Sequence, residues 1–218
     1  MDDLHAAIKL YERAYQLTPA DHLDRPMYLA GLRNSLHLRY QRTNSLADLN
    51  ATIVHLRRTL DATLNGAPRF PGHSYNLGWV LLNKFNQMKD VTDLNAAIRT
   101  LESALTFTSD DNRRALAFFS NVLIAAYYRA FEQSGELDDL NKSIQFYEQA
   151  QKSADGFVLT SLILSNLGIS LGAKAELTQD GKDIVASIRV RADAVQNTPA
   201  NDVVLADQLF MLGAAFEK

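Results

Sequence analysis

The chain repeats itself about every 45 residues, and this feature constrains its fold more than any other. An aspartate, then Leu or Ile, then Ile four positions further on recurs five times. The five aspartates are Asp3, Asp48, Asp93, Asp139 and Asp183, at steps of 45, 45, 46 and 44 residues. A fixed period of about 20 to 50 residues is the signature of stacked supersecondary units.

Two further markers keep the same spacing. One is a leucine in every copy: Leu32, Leu77, Leu123, Leu167 and Leu212. The other precedes the next aspartate by eight positions: Tyr40, Phe85, Phe131 and Ala175. Because the markers agree in register, we divide the chain into copies at approximately 1–45, 46–90, 91–136, 137–181 and 182–218.

Each copy contains two helical patterns. The segment DLNAAIRTLESAL places Leu94, Ile98 and Leu101 at spacings of three and four, which forms one apolar stripe on a helix. The segment SNVLIAAYYRAF does the same with Leu123 and Tyr127. The marker aspartate before the first stripe suits a helix start, where it can cap free amides and meet the positive end of the helix dipole.

These patterns predict an all-α fold of about ten helices, each of roughly 13 to 22 residues. Proline and glycine lie between the patterns and mark the turns: Pro19, Pro26, Pro68, Pro71 and Pro199, with Gly66 and Gly72. We predict a right-handed α-solenoid of stacked antiparallel helix hairpins that forms a single domain over 1–218, in which each pair buries its face against its neighbours.

Several residues in these copies resemble the tetratricopeptide (TPR) repeat. Leu-Gly pairs at 77–78, 167–168 and 212–213 look like the pair in its first helix. Two slots of small residues, seven positions apart, match its second helix: Ala7, Thr52, Ala97, Ser143 and Ser187, then Ala14, Thr59, Ala104, Ala150 and Ala194. The slot between them holds large residues, Tyr11, Leu56, Leu101 and Tyr147, while Pro19 and Pro199 stand where the family closes its repeat with proline.

The copies also depart from the TPR pattern. Their period exceeds the family's period of about 34 residues. Arg33 and Ile124 replace the expected glycine, and the closing proline is replaced by Leu64, Ser109 and Asp155. Long, degenerate copies of this kind resemble the TPR arrays of large fungal proteins, which often adjoin a caspase-like CHAT peptidase domain or a nucleotide-binding domain.

The segment GISLG at 168–172 matches the Gly-x-Ser-x-Gly pattern of serine hydrolases. That motif needs a strand, a strained turn and a helix, with a histidine later in the chain. Here apolar residues recur every four positions around Ser170, which predicts a helix, and all five histidines precede it. We therefore expect Ser170 to be structural and the chain not to be an enzyme; the alternative is an all-helical enzyme with an unrecognised site.

Other kinds of chemistry have no support in the composition. The chain has no cysteine, its histidines lack metal-ligand spacing, and it has no glycine-rich phosphate loop, so we expect no metal and no cofactor. Its net charge of −3, without a basic stripe, argues against nucleic acid. The uncharged run 156–173 is shorter than the roughly 20 apolar residues of a membrane span. These features favour a cytoplasmic protein.

The resemblance to TPR arrays implies that the first helix of each pair lines a concave groove that binds a peptide or protein. The side chains expected to face it are Asn34, His37, Tyr75, Asn76, Trp79, Asn121, Tyr128, Arg129, Ser165 and Asn166. Asparagine can donate and accept at once, and Trp79 and Tyr128 can serve as apolar anchors with a polar edge. Each aromatic can equally be a core residue between repeats.

The ends of the chain suggest further partners. The first helix lacks a preceding mate, and the last segment, VVLADQLFMLGAAFEK, is strongly apolar although solenoids normally close with a polar cap. We therefore expect a segment of a longer array, acting as a non-catalytic interaction scaffold and as the sensing or regulatory module of a larger protein. Adjoining domains or self-association through the ends would then be additional partners.

Overall fold

The computed structural model describes residues 2–19, 22, 24–61, 63, 67–153 and 157–216. Within these ranges every regular element is a helix, ten in all and 13 to 22 residues long, which confirms the predicted all-α class. The helices are α1 Asp2–Leu17, α2 Arg25–Thr43, α3 Leu46–Asp61, α4 Phe70–Met88, α5 Val91–Thr106, α6 Arg113–Ser134, α7 Leu137–Ser153, α8 Phe157–Thr178, α9 Gly181–Gln196 and α10 Val204–Phe216. Leu64, Gly66 and Asp155 lie outside the described residues.

The chain divides into two compact units, Met1–Phe107 and Thr108–Lys218. In the first unit, α1 to α5 pack in chain order, each helix on the next. In the second unit, α6 to α10 do the same, and α6 also packs on α8. The boundary falls inside the predicted third copy, between its two helices.

Four helices end in the same way. The residue after α2, α4, α6 and α8 has a left-handed backbone: Asn44, Lys89, Gly135 and Gln179, with φ between 50° and 72°. Each donates its N–H to the carbonyl four residues earlier, at 2.7 to 2.9 Å. The next helix begins after only two residues, which leaves the members of each pair as antiparallel neighbours.

The core is built from the recurring apolar positions. We call α2, α4, α6, α8 and α10 the first helices and the other five the second helices. Leu32, Leu77, Leu123 and Leu167 are buried on α2, α4, α6 and α8, respectively. Small and large residues pack across each pair, as the spacing suggests. A methyl group added at Gly78 of α4 would lie 2.5 Å from Cγ of Leu101 on α5, so the two helices meet closely at this point.

The marker aspartates have a different role from the expected capping role. The amides at the start of α5 and α9 are capped by Asp90 and Asp180, whose carboxylates accept from Thr92 N at 2.9 Å and Lys182 N at 2.8 Å. Asp93 lies three residues after Asp90, within the first turn of α5. The capping expectation was therefore wrong by three positions for α5 and α9, whereas the first-turn position still places these aspartates near the positive end of the helix dipole.

The marker aspartates instead tie the two helices of a pair together. Three of the marker aspartates form an ion pair with a cation nine residues earlier in the chain. The distances are 2.8 Å from Arg39 Nε to Asp48 Oδ2, 2.7 Å from Lys84 Nζ to Asp93 Oδ2, and 3.3 Å from Lys174 Nζ to Asp183 Oδ1. In the remaining pair the cation is replaced by Ala130, and Asp139 accepts from Ser134 Oγ at 2.8 Å.

Two prolines also lie elsewhere than expected. Pro26 and Pro71 stand in the first turns of α2 and α4 rather than between helices, and Gly72, also expected in a turn, lies inside α4. A first-turn residue has no intrahelical acceptor for its N–H, so proline loses nothing there.

Ser170 lies inside α8, as its spacing predicts. Its hydroxyl is buried, 2.7 Å from Ser143 Oγ and 3.2 Å from the carbonyl of Asn166. The strand and strained turn of a nucleophile elbow are thus replaced by helix. Among the described residues, no helix has the length and apolar character needed to cross a membrane.

Candidate functional site

The ten predicted groove residues all lie on first helices. Asn34 and His37 are on α2, Tyr75, Asn76 and Trp79 on α4, Asn121, Tyr128 and Arg129 on α6, and Ser165 and Asn166 on α8. Asn34 is exposed, and the other nine are partly buried. This is the burial range in which a side chain is both held in place by neighbours and open to a ligand.

In the first unit, two of these residues meet. The ring of His37 lies edge-on to the indole of Trp79, with 4.6 Å between the ring centres, and Tyr40 lies 6.0 Å from His37. The contact joins α2 to α4, the first helices of consecutive pairs. Asn83 Nδ2 donates to the carbonyl of Trp79 at 3.0 Å within α4. An aromatic cluster therefore bridges two first helices of this unit.

In the second unit, polar side chains bridge the first helices. Asn166 Nδ2 on α8 donates to Asn121 Oδ1 on α6 at 2.8 Å. Gln208 Nε2 on α10 donates to Ser165 Oγ on α8 at 2.7 Å. Gln208 is buried and is also bonded to Thr198 Oγ1, so it is held from both sides. The polar contacts thus run across α6, α8 and α10.

Tyr128 and Arg129 form a neighbouring group on α6. The guanidinium of Arg129 pairs with Glu132 at 2.5 Å and lies 5.9 Å from the centre of the Tyr128 ring. Burial, followed by the negative charge of Glu132, raises the pKa of Tyr128 above its ordinary value. Tyr128 therefore remains a neutral hydroxyl donor at physiological pH. The ion pair of Arg129 is largely exposed and contributes little to stability.

A cavity of about 400 Å³ opens in the second unit between α6, α8, α9 and α10. Its polar lining includes Tyr128, Glu176, Ser187 and Arg191. Its apolar lining consists of Ile169, Ile184 and Met211 with four alanines. Of the predicted groove residues, only Tyr128 is among the lining residues.

Sequence reasoning missed Arg191, a cation that lines this cavity. Its Nε donates to Ser187 Oγ at 3.2 Å and its Nη1 to the carbonyl of Met211 at 3.3 Å. Burial lowers its pKa below the ordinary arginine value. A signal was present: Arg191 occupies the slot, eight residues after the marker aspartate, that holds Leu56 and Leu101 in earlier copies.

Gln208 was missed for a different reason. It lies four residues before Leu212 in a segment whose apolar residues dominate the pattern, and its partners Ser165 and Thr198 are remote in sequence. The spacing of residues along the sequence gives no indication of these hydrogen bonds. Across the described ranges, His, Asp and Glu side chains form no group of three that would hold a metal ion.

Comparison with known proteins adds no family assignment. No protein-family model matches the chain. A search of curated proteins also finds no match.

Proposed function

We propose that this chain is a TPR-like repeat module that binds a protein or peptide partner on its first helices and has no catalytic activity of its own. In this proposal the helix pairs form a right-handed solenoid with a period of about 45 residues. Support comes from the left-handed helix ends at positions 44, 89, 135 and 179, which are 45, 46 and 44 residues apart. The recurring cation–aspartate ties support the same repeat.

The observation that carries the proposal is the contact between residues of consecutive first helices. His37 meets Trp79 in the first unit, and Asn121 meets Asn166 in the second. These four residues were predicted from their repeat position alone, and within each unit the two predicted residues are in contact. A binding face needs such contiguity, because affinity comes from clustered side chains rather than from isolated ones.

The side chains on these faces suit peptide recognition. The amides of Asn121 and Asn166 are partly buried, and each retains donor or acceptor groups beyond their mutual hydrogen bond. Such groups can pair with the N–H and C=O of an extended peptide backbone. Trp79 and Tyr128 offer large, rigid surface with a polar edge, the residue type that dominates interface energetics.

The proposed context is regulatory and cytoplasmic. The TPR-like character and the resemblance to long fungal arrays favour a sensing or regulatory module of a larger protein, with adjoining domains as additional partners. The apolar side chains of α10 that are exposed, among them Phe210 and Phe216, are consistent with such contacts or with self-association.

The test is partner capture by matched variants. We expect the wild-type chain, immobilised and exposed to native extract, to enrich a defined set of proteins. Trp79→Ala and Asn121→Ala should each reduce that enrichment at least about tenfold, as loss of an interface hot spot does. Asn141→Ala, an exposed change on the second helix α7, should leave enrichment unaltered.

Circular dichroism separates binding from folding. Both groove variants should retain the helicity of the wild type. Unfolding of both would place Trp79 and Asn121 in the core and refute the binding face. Unchanged enrichment with intact helicity would refute it as well.

A further inference from the structure

The cavity in the second unit differs from the rest of the repeat at two positions that meet in space. Eight residues after the marker aspartate, the first four copies have Tyr11, Leu56, Leu101 and Tyr147, whereas the last has Arg191. Five residues after the recurring leucine, the copies have His37, Leu82, Tyr128 and then Gly172. A large apolar or aromatic residue has become a cation, and a bulky residue has become glycine.

Gly172 makes room for the guanidinium at the cavity wall. A Cβ added at Gly172 would lie 2.7 Å from Nη2 of Arg191 and 3.3 Å from Oγ of Ser187. No larger side chain fits there unless Arg191 moves. The glycine therefore forms a cradle whose polar wall is a guanidinium and a hydroxyl.

The guanidinium has unused hydrogen-bonding capacity. Of its five N–H groups, one is bonded to Ser187 and one to the carbonyl of Met211. Within the part of the chain that the structure describes, no carboxylate comes within 4.0 Å of Arg191. A half-buried cation without a counter-ion is costly to a fold. The cost is readily understood if a ligand supplies the missing anion.

The lining defines the kind of anion. One arginine faces the cavity, and Glu176 lies among the lining residues, so a doubly charged phosphate would meet more repulsion from Glu176 than a singly charged anion would. The planar fork of arginine matches a carboxylate in a bidentate pair. Ile169, Ile184 and Met211 offer an apolar wall to the remainder of the ligand. The volume of about 400 Å³ falls within the range of small-molecule sites.

We propose that this cavity binds a small monocarboxylate with an apolar body, its carboxylate on Arg191 and Ser187 beside Gly172. The inference goes beyond the proposed partner-binding face, since its ligand is a small molecule and its principal residues lie on α8 and α9. Tyr128, the predicted groove residue that lines the cavity, adds a hydroxyl donor.

The experiment is a nuclear magnetic resonance titration of the full chain with hexanoate, observed at the Gly172 amide. We expect a saturable shift at millimolar hexanoate. Hexanamide, which has the same size without charge, should bind at least about tenfold more weakly, because a charged hydrogen-bonding pair is lost. Inorganic phosphate should also bind more weakly than hexanoate, since it has no apolar body.

Two variants locate the site. Arg191→Leu restores the residue of the earlier copies, so it should keep the fold and abolish the hexanoate shift. Arg189→Leu removes the same charge from an exposed position on the same helix and should leave binding intact. Gly172→Ala should abolish binding because its methyl group displaces the guanidinium of Arg191 from the position beside residue 172, although the arginine itself is kept.

The proposal fails if hexanoate produces no saturable shift, or if hexanamide binds equally well. It also fails if Arg191→Leu, folded by circular dichroism, binds hexanoate like the wild type. If Arg191→Leu does not fold, Gly172→Ala decides: retained binding in that variant overturns the proposal, and lost binding in a folded protein supports it. Loss of hexanoate binding leaves partner capture through Trp79 unaffected, so the two proposals fail separately.

Discussion

The packing of Gly78 against Leu101 gives the sharpest test of how the paired helices fit together. An alanine methyl at Gly78 would lie 2.5 Å from Leu101 Cγ, 2.9 Å from Cδ2 and 3.1 Å from the carbonyl of Ala97. Leu101 is fully buried. Overpacking of this kind costs about 1–3 kcal/mol. The better helix propensity of alanine returns up to about 1 kcal/mol, so Gly78→Ala should destabilise by about 1 kcal/mol.

The partner substitution changes the sign of this effect. Leu101→Ala should cost about 2–5 kcal/mol, since it removes a buried side chain and leaves a cavity. In that background the methyl of Gly78→Ala enters the vacated space. The second substitution should then be neutral or stabilising by up to about 1 kcal/mol. The two changes should therefore be coupled by at least about 1 kcal/mol.

Native-state hydrogen exchange of the α4 and α5 amides is the appropriate assay, because it reports local stability in a chain with two compact units. Gly72→Ala is the matched control: it lies on the same helix, and nothing approaches its added Cβ within 4 Å. It should be neutral or slightly stabilising. Additive effects of the Gly78 and Leu101 changes, within about 0.5 kcal/mol, would refute the contact.

Three further predictions concern charge. Asp48→Ala should lower the free energy of unfolding by denaturant by about 1–3 kcal/mol, because it leaves the shielded Arg39 without its partner. Loss of the more exposed Glu132 should lower it by under about 1 kcal/mol. Equal losses would contradict this difference. The backbone amide of Thr92 lowers the pKa of Asp90. The stability that the ionised Asp90 contributes should therefore be complete above the ordinary carboxyl pKa and be lost as the pH falls through the lowered pKa. Asp90→Asn still caps the helix, so its melting temperature should lack this component of acid sensitivity. Arg191→Leu should raise the free energy of unfolding, because it removes a partly desolvated charge. A lower value would show that the arginine stabilises the fold.

The helices could be predicted because their determinants are local. Apolar stripes such as Leu94, Ile98 and Leu101 fix the helical period, and the recurring leucines identify the buried faces of α2, α4, α6 and α8. The position of Ser170 inside a helix follows from the same spacing. The two proline positions were missed because the first turn of a helix tolerates proline as well as a loop does.

The site could be predicted only in part because its contacts join remote positions. Asn121 and Asn166 are 45 residues apart, which is one repeat period, so the repeat register places both on first helices. The hydrogen bond between them also depends on the direction of each side chain, which the register does not give. The tie from Lys84 to Asp93 has a regular spacing of nine residues, yet neither helical nor strand periodicity highlights that interval. Arg191 was detectable as a charge in an otherwise large, uncharged slot, which marks a departure from the repeat rather than the repeat itself.

The claim that first helices form the binding face is tested most directly by site-specific photo-crosslinking in the native cell. A benzophenone side chain replaces Asn34 or Asn76 on first helices, and Asn95 or Asn141 on second helices as controls. We predict that the first-helix positions capture one common partner and that the second-helix positions do not. Capture of that partner from Asn95 or Asn141, with none from Asn34 or Asn76, would contradict the proposed binding face.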